Sequence, residues 1–156
     1  MRIALATLAA VAIAAVIYLA TARGSTSSCP PIDRGVLPEW ARGGFSEPEP
    51  KAPHVIGDDG RIAAILFGDP LVSPPDRERA NKILWVARDP VEGASDLKIR
   101  AQDGDTVVQR KVPGGPGPSI IDLPHPGCWQ LALSWSSQKD RLRLAYETPD
   151  RRESGE

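Results

Sequence analysis

The chain has little of what builds a metal or haem site: two Cys, two His and one Met in 156 residues. No C-x-x-C and no paired-His spacing is present, so a zinc site made from both Cys with His54 and His125 has no support in the spacing. Positive charge is not in surplus either. Nineteen Lys and Arg against 20 Asp and Glu leave a net charge of −1, and a nucleic-acid binder needs a basic footprint. No nucleic-acid partner and no cofactor is expected. No Gly-x-Ser-x-Gly elbow occurs, and no internal repeat is visible. Beyond the N-terminus no window of 11 or more residues carries a helical apolar stripe. Aromatics are sparse at 5%, yet four of the eight are Trp. What the chain has in excess is Pro, 16 residues and all of them at or after position 30. That is about twice average usage. Hydrophobic content of 41% with 25% charge excludes full disorder.

One long apolar run is present, at the start. Residues 3–22 contain no charge, no Pro and no Gly. Twenty apolar residues at about 1.5 Å each span a hydrocarbon core of about 30 Å. The length favours a retained single-pass helix, since signal-peptide cores run about 7–15 residues. A cleaved signal peptide competes, because Ala20-Thr21-Ala22 is a small-x-small site. A lipoprotein signal at Cys29 lacks the Leu expected before it, and Arg23 interrupts the approach. Arg2 and the amino terminus weakly favour an N-in orientation. The leading readings therefore export the rest of the chain. Residues 3–22 provide the membrane contact, and the localisation is the cell membrane with the C-terminal part outside, or secretion after cleavage.

Cys29 and Cys128 both fall in the exported part. An even pair in an oxidising compartment reads as one disulfide. Closing a loop of about 100 residues is worth roughly 4.7 kcal/mol on the chain-entropy model. Two free thiols are the alternative.

Residues 23–56 form a Pro-rich stalk or docking segment. Within it, residues 36–45 (VLPEWARGGF) carry Trp40 and Phe45, which either lie on the core or form an exposed patch; docking is favoured. Residues 46–53 alternate Pro with charge, the composition of a semi-rigid extended linker. From residue 57 to 147 short strands alternate with turns. Leu97, Ile99 and Ala101 alternate with Lys98, Arg100 and Gln102, the period-2 pattern of a half-buried strand. Asp103-Gly104-Asp105 is a hairpin turn leading into Thr106–Val112. Residues 113–118 (PGGPGP) read as a loop outside any ladder, and Ser119–Leu123 as a short strand. Trp129, Leu131, Leu133 and Trp135 share one face of the clearest strand. Ser136–Asp140 reads as a turn, and Leu142, Leu144 and Tyr146 point inward on the last strand. About seven strands with turns every 8–12 residues are the pattern of a small β-sandwich. Residues 148–156 form a polar tail.

Ile83-Leu84-Trp85-Val86, the alternating Leu97-Lys98-Ile99, and Leu123-Pro124-x-Pro126-Gly127-Cys128-Trp129-x-Leu131 before a final strand resemble a group of exported, anchored bacterial Ig-like domains. The resemblance covers roughly residues 29–147. It implies a small all-β, Ig-like antiparallel sandwich after one N-terminal hydrophobic helix. It also implies that the Gly-Cys-Trp strand is the penultimate one and that Cys29-Pro30 supplies the partner thiol. The chain departs from the antibody framework, because Cys29 precedes the first expected strand. A shared sandwich transfers no function.

His125, in a rigid Leu-Pro-His-Pro-Gly turn, and His54, in a Pro-flanked linker, read as solvated residues rather than catalytic ones. Asp58-Asp59-Gly60 and Asp103-Gly104-Asp105 fit turn chemistry better than calcium sites, which need 6–8 oxygens. Lys98 and Arg100 share one outward face, and so do Arg141 and Arg143. If their strands lie in one sheet they form a basic stripe able to meet acidic lipid or an acidic partner; a solvated face or edge protection against strand addition is the simpler reading. With Trp40 and Phe45 these four are the candidate partner surface. The expected function is a non-catalytic, membrane-anchored interaction or structural module outside the cytoplasm, meeting an envelope protein. The alternatives are an accessory or sensor subunit that docks through its apolar helix, and a secreted soluble domain.

Overall fold

The structure, a computed structural model, describes residues 28–76, 79–93 and 95–150. The apolar helix expected over residues 3–22 and most of the C-terminal tail lie outside the described residues. Among the described residues no helix is long and apolar enough to cross a membrane. One 3₁₀ turn, Glu39–Ala41, is helical.

The protein is all-β. Its strands are β1 (His54–Ile56), β2 (Ile62–Leu66), β3 (Leu71–Val72), β4 (Lys82–Ala87), β5 (Leu97–Asp103), β6 (Thr106–Val112), β7 (Pro118–Ile120), β8 (Gly127–Trp135) and β9 (Gln138–Glu147). They form two sheets, in the orders β1-β2-β4-β7 and β3-β9-β8-β5-β6. Every pairing is antiparallel except β3 with β9.

Alternation sets which side of each strand is inside. Ile62, Ala64, Leu66, Ile83 and Trp85 from the first sheet meet Leu97, Ile99, Ala101, Trp129, Leu131, Leu133, Trp135, Leu142, Leu144 and Tyr146 from the second. Side chains as large as Trp85 and Trp129, each fully buried, contribute roughly 4–6 kcal/mol apiece at about 25 cal/mol per Å², before entropy. Their polar tips are satisfied, as burial requires. Trp85 Nε1 donates to Ser119 Oγ at 3.0 Å, Trp129 Nε1 to the His125 carbonyl at 3.0 Å, and the Tyr146 hydroxyl to the Ile121 carbonyl at 2.6 Å. Burial pushes the Tyr146 pKa up, which keeps that donor protonated.

The β5–β6 hairpin closes through Gly104-Asp105, with Asp103 opposite Thr106, and Gly104 takes φ +54°. That left-handed geometry is one glycine adopts without steric cost.

Several expectations are corrected. The residue-57 boundary falls inside the β1–β2 hairpin, because His54–Ile56 already pairs with β2. Upstream of β1, Asp33 bridges to His54 and Val36 to Lys51, so this part of the expected stalk is sheet edge. Among the described residues nine strands replace about seven, because β1 and β3 are too short to show a period. The PGGPGP loop does join a ladder at its end: Pro118 pairs with Leu84. Proline is tolerated there as the first residue of a strand. The strand expected over residues 119–123 stops at Ile120, and Ile121 N donates instead to the Asn81 carbonyl at 3.1 Å. His54 is buried, not solvated, and its Nδ1 lies 2.8 Å from the Ala52 carbonyl.

The turn expected over residues 136–140 shrinks to Ser136-Ser137, with Trp135 opposite Gln138. Asp140 is therefore an inward strand residue, 3% exposed. Its carboxylate accepts from the backbone N–H groups of Asp59 at 2.9 Å, Arg61 at 2.8 Å and Arg141 at 2.7 Å. The β1–β2 turn wraps this carboxylate so closely that a Cβ at Gly57 would collide with it. One side chain of the second sheet thus holds a hairpin of the first. Replacing Asp140 by Ala leaves those donors without their acceptor and is expected to cost roughly 2–3 kcal/mol in urea unfolding. A loss below about 0.5 kcal/mol would contradict this role.

Candidate interaction surface

The two outer faces of the protein differ. On the four-stranded sheet, His54, Ala63 and Ile65 point away from the core and are nevertheless buried. The cover is the chain's own segment 33–53. It brings the buried Leu37 and Ala41, is closed on itself by Leu37 N donating to the Pro50 carbonyl at 2.9 Å, and is tied to β2 by Leu66 N donating to the Pro53 carbonyl at 2.8 Å. Arg42 closes the segment, donating to the carbonyls of Leu37 and Pro48. Trp40 is half-buried within this segment. The Phe45 ring stacks on Phe67 at 6.5 Å and 12°.

Phe67 is 53% exposed, and Lys82 Nζ sits 5.5 Å from its ring centre. Ile120, 59% exposed, stands opposite Lys82 on β7. This small aromatic and aliphatic patch escaped the sequence reading. Phe67 ends the short apolar run of residues 61–67, and its parity with Ala63 and Ile65 places it on the outer side.

The outer face of the five-stranded sheet is bare and basic. Register places Ala132 of β8 between Arg100 of β5 and Arg141 of β9. Ser134 stands between Lys98 and Lys139, and Gln130 between Gln102 and Arg143. Lys111 on β6 lies opposite Lys98. All six cations are exposed. Strands spaced about 4.8 Å apart put the two columns of cations roughly 10 Å from each other. The short side chains of Ala132 and Ser134 leave a groove between the columns, about 390 Å³ in volume, with Asp59 at its rim. Lys98 and Arg100 thus share a face with Arg141 and Arg143, while Trp40 and Phe45 lie against the other sheet.

These cations are mostly unneutralised. Lys111 pairs with Asp96 at 3.1 Å. A backbone hydrogen bond from Gly114 and that lysine hold the Asp96 carboxyl below the usual range. Among the described residues, Lys98, Arg100, Lys139, Arg141 and Arg143 have no carboxylate at salt-bridge distance. Arg100 donates only to Gln102, at 2.9 Å.

Cys128 belongs to the same outward row of β8 as Gln130, Ala132 and Ser134, two residues apart each time. It is bonded to Cys29, with Cα atoms 5.3 Å apart. The disulfide therefore sits on the basic side of the molecule. From there the chain runs to Ile32, packed against the core, and to the Asp33–His54 bridge.

Both cysteines are consumed by this bond. Among the described residues no cluster of three His, Cys, Asp or Glu is placed to hold a metal. His125 lies against Trp129, with ring centres 4.6 Å apart, and its Nδ1 is 3.6 Å from Asp103. No serine hydroxyl among the described residues is hydrogen-bonded to either histidine. Asp58-Asp59-Gly60 and Asp103-Gly104-Asp105 lie at hairpin turns.

No protein-family model, no curated protein and no solved structure matches this chain.

Replacing Cys29 and Cys128 together by Ser is expected to lower unfolding stability by roughly 2–5 kcal/mol. The m-value should rise, since an unlinked unfolded chain exposes more surface. Unchanged values of both would contradict a structural disulfide.

Proposed function

We propose that the protein is an exported, membrane-anchored interaction module, without catalysis, which engages an acidic partner through the basic outer face of β5, β8 and β9. The observation that carries this reading is the set of exposed cations with no carboxylate partner among the described residues, flanking the small side chains of Ala132 and Ser134. Two columns of cations about 10 Å apart across β8 sum to a local positive field, which suits an anionic partner. Export is supported by the apolar segment 3–22 together with a disulfide, which persists in oxidising compartments.

The Ig-like reading has support in the strand order. With β2 as A, β4 as B and β7 as E, the first sheet follows the A-B-E order of immunoglobulin sheets. With β9 as G, β8 as F, β5 as C and β6 as C′, the second follows G-F-C-C′. The expected Gly-Cys-Trp strand is the penultimate strand, β8. The cysteine placement differs from the antibody pattern, since Cys128 points out of the sandwich.

The test is binding of the full chain in mild detergent to an immobilised polyglutamate peptide. The variant Lys98→Glu/Arg100→Glu/Arg141→Glu/Arg143→Glu should lose at least about tenfold in affinity, with binding of the wild type falling as salt is raised. Its thermal midpoint should stay near that of the wild type, since all four side chains are solvated. Equal affinity of the two proteins would sink the proposal.

A further inference from the structure

We infer that the acidic partner of this face is the membrane itself: the basic side of β5, β8 and β9 lies against anionic phospholipid head groups of the leaflet from which the chain emerges. This rests on the reading of the face as the interaction surface and of residues 3–22 as a retained anchor.

The tether supplies the first argument. Six residues separate Ala22 from Cys29, a path that spans no more than about 25 Å fully extended. Cys29 is fixed to Cys128, and Cys128 projects from the same side of β8 as Ala132 and Ser134. An anchored chain therefore enters the folded part on the basic side. The tether is too short to carry it far from the bilayer.

Charge supplies the second. Five of the face's cations lack a carboxylate partner among the described residues, and Arg23 adds a further positive charge in the tether. Lipid phosphates accept charge-assisted hydrogen bonds from such groups, in bidentate fashion from Arg. The groove over Ala132 and Ser134 gives a phosphate room between Arg100 and Arg141, or between Lys98 and Lys139. A single spanning helix with a basic surface beside it is a two-part membrane attachment.

The third argument is the contrast between the faces. The outer side of the four-stranded sheet is already covered by segment 33–53, whereas Gln130, Ala132 and Ser134 on β8 are exposed. The bare side is the side with the tether.

The experiment uses the full chain reconstituted in vesicles, with a small fluorescent amino acid in place of Gln130, or of Ile120 on the other sheet. Head-group lipids carrying a nitroxide act as the quencher. In vesicles with about 30% phosphatidylglycerol, quenching at position 130 should exceed that at position 120 by at least about twofold. The ratio should fall towards one in zwitterionic vesicles, at about 0.5 M salt, and in the Lys98→Glu/Arg100→Glu/Arg141→Glu/Arg143→Glu variant. A ratio independent of lipid charge overturns the inference. If that variant still loses polyglutamate binding, the interaction reading survives with an acidic protein as partner; if it does not, both fall. A chain washed from the vesicles by alkaline carbonate overturns the anchor and the inference with it.

Discussion

The bond between Cys29 and Cys128 decides how this protein is held. In an antibody-type domain the disulfide links two sheets through the interior. Here the interior is filled without it, by Trp85 and Trp129 and the aliphatic rows around them. Cys128 points outward instead, and the bond clamps the incoming chain to the surface at the start of β8. Two consequences follow. Segment 33–53 has a fixed origin from which to cross the edge of β1 and cover the four-stranded sheet. The five-stranded sheet is left uncovered on the side where the chain arrives.

The second constraint is charge segregation. A net charge of −1 describes the whole chain and conceals a face with six exposed cations. The segregation arises from simple periodicity. Alternation in β5 and β9 puts every second residue outside, and those residues include Lys98 and Arg100 on one strand and Lys139, Arg141 and Arg143 on the other. Pairing both strands with β8 brings the two columns together. Asp140, the acidic residue within this stretch of β9, is on the opposite parity. It spends its charge inside, on the backbone of the β1–β2 turn. Glu147, the last residue of β9, stands on the outward row beyond Arg143 and Ala145, at the end away from Lys139.

Much of this was legible from the residues. The alternation of Leu97, Ile99 and Ala101, and of Trp129 to Trp135, is long enough to fix strand and inward side together. The hairpin at Asp103-Gly104-Asp105 follows from turn chemistry. The two basic pairs were visible as outward pairs, but their shared face was not. It depends on β9, β8 and β5 being neighbours in an order that is not that of the chain, which only tertiary packing sets. The burial of His54 runs against its sequence context for a related reason. Pro-rich surroundings read as linker, while its burial comes from the segment 33–53 that covers its sheet. Asp140 looked like a turn residue because acids are rarely buried, and its partners are backbone groups that leave no trace in composition.

With residues 3–22 as the proposed anchor, the folded part rests basic side down on the bilayer. Neutron reflectometry of the full chain in a supported bilayer measures this directly, as the thickness of water between head groups and protein. On an anionic bilayer at low salt the account predicts a protein layer in contact with the head groups, with a water gap opening as salt is raised. A gap of the same width on anionic and zwitterionic bilayers, unchanged by salt, would contradict it.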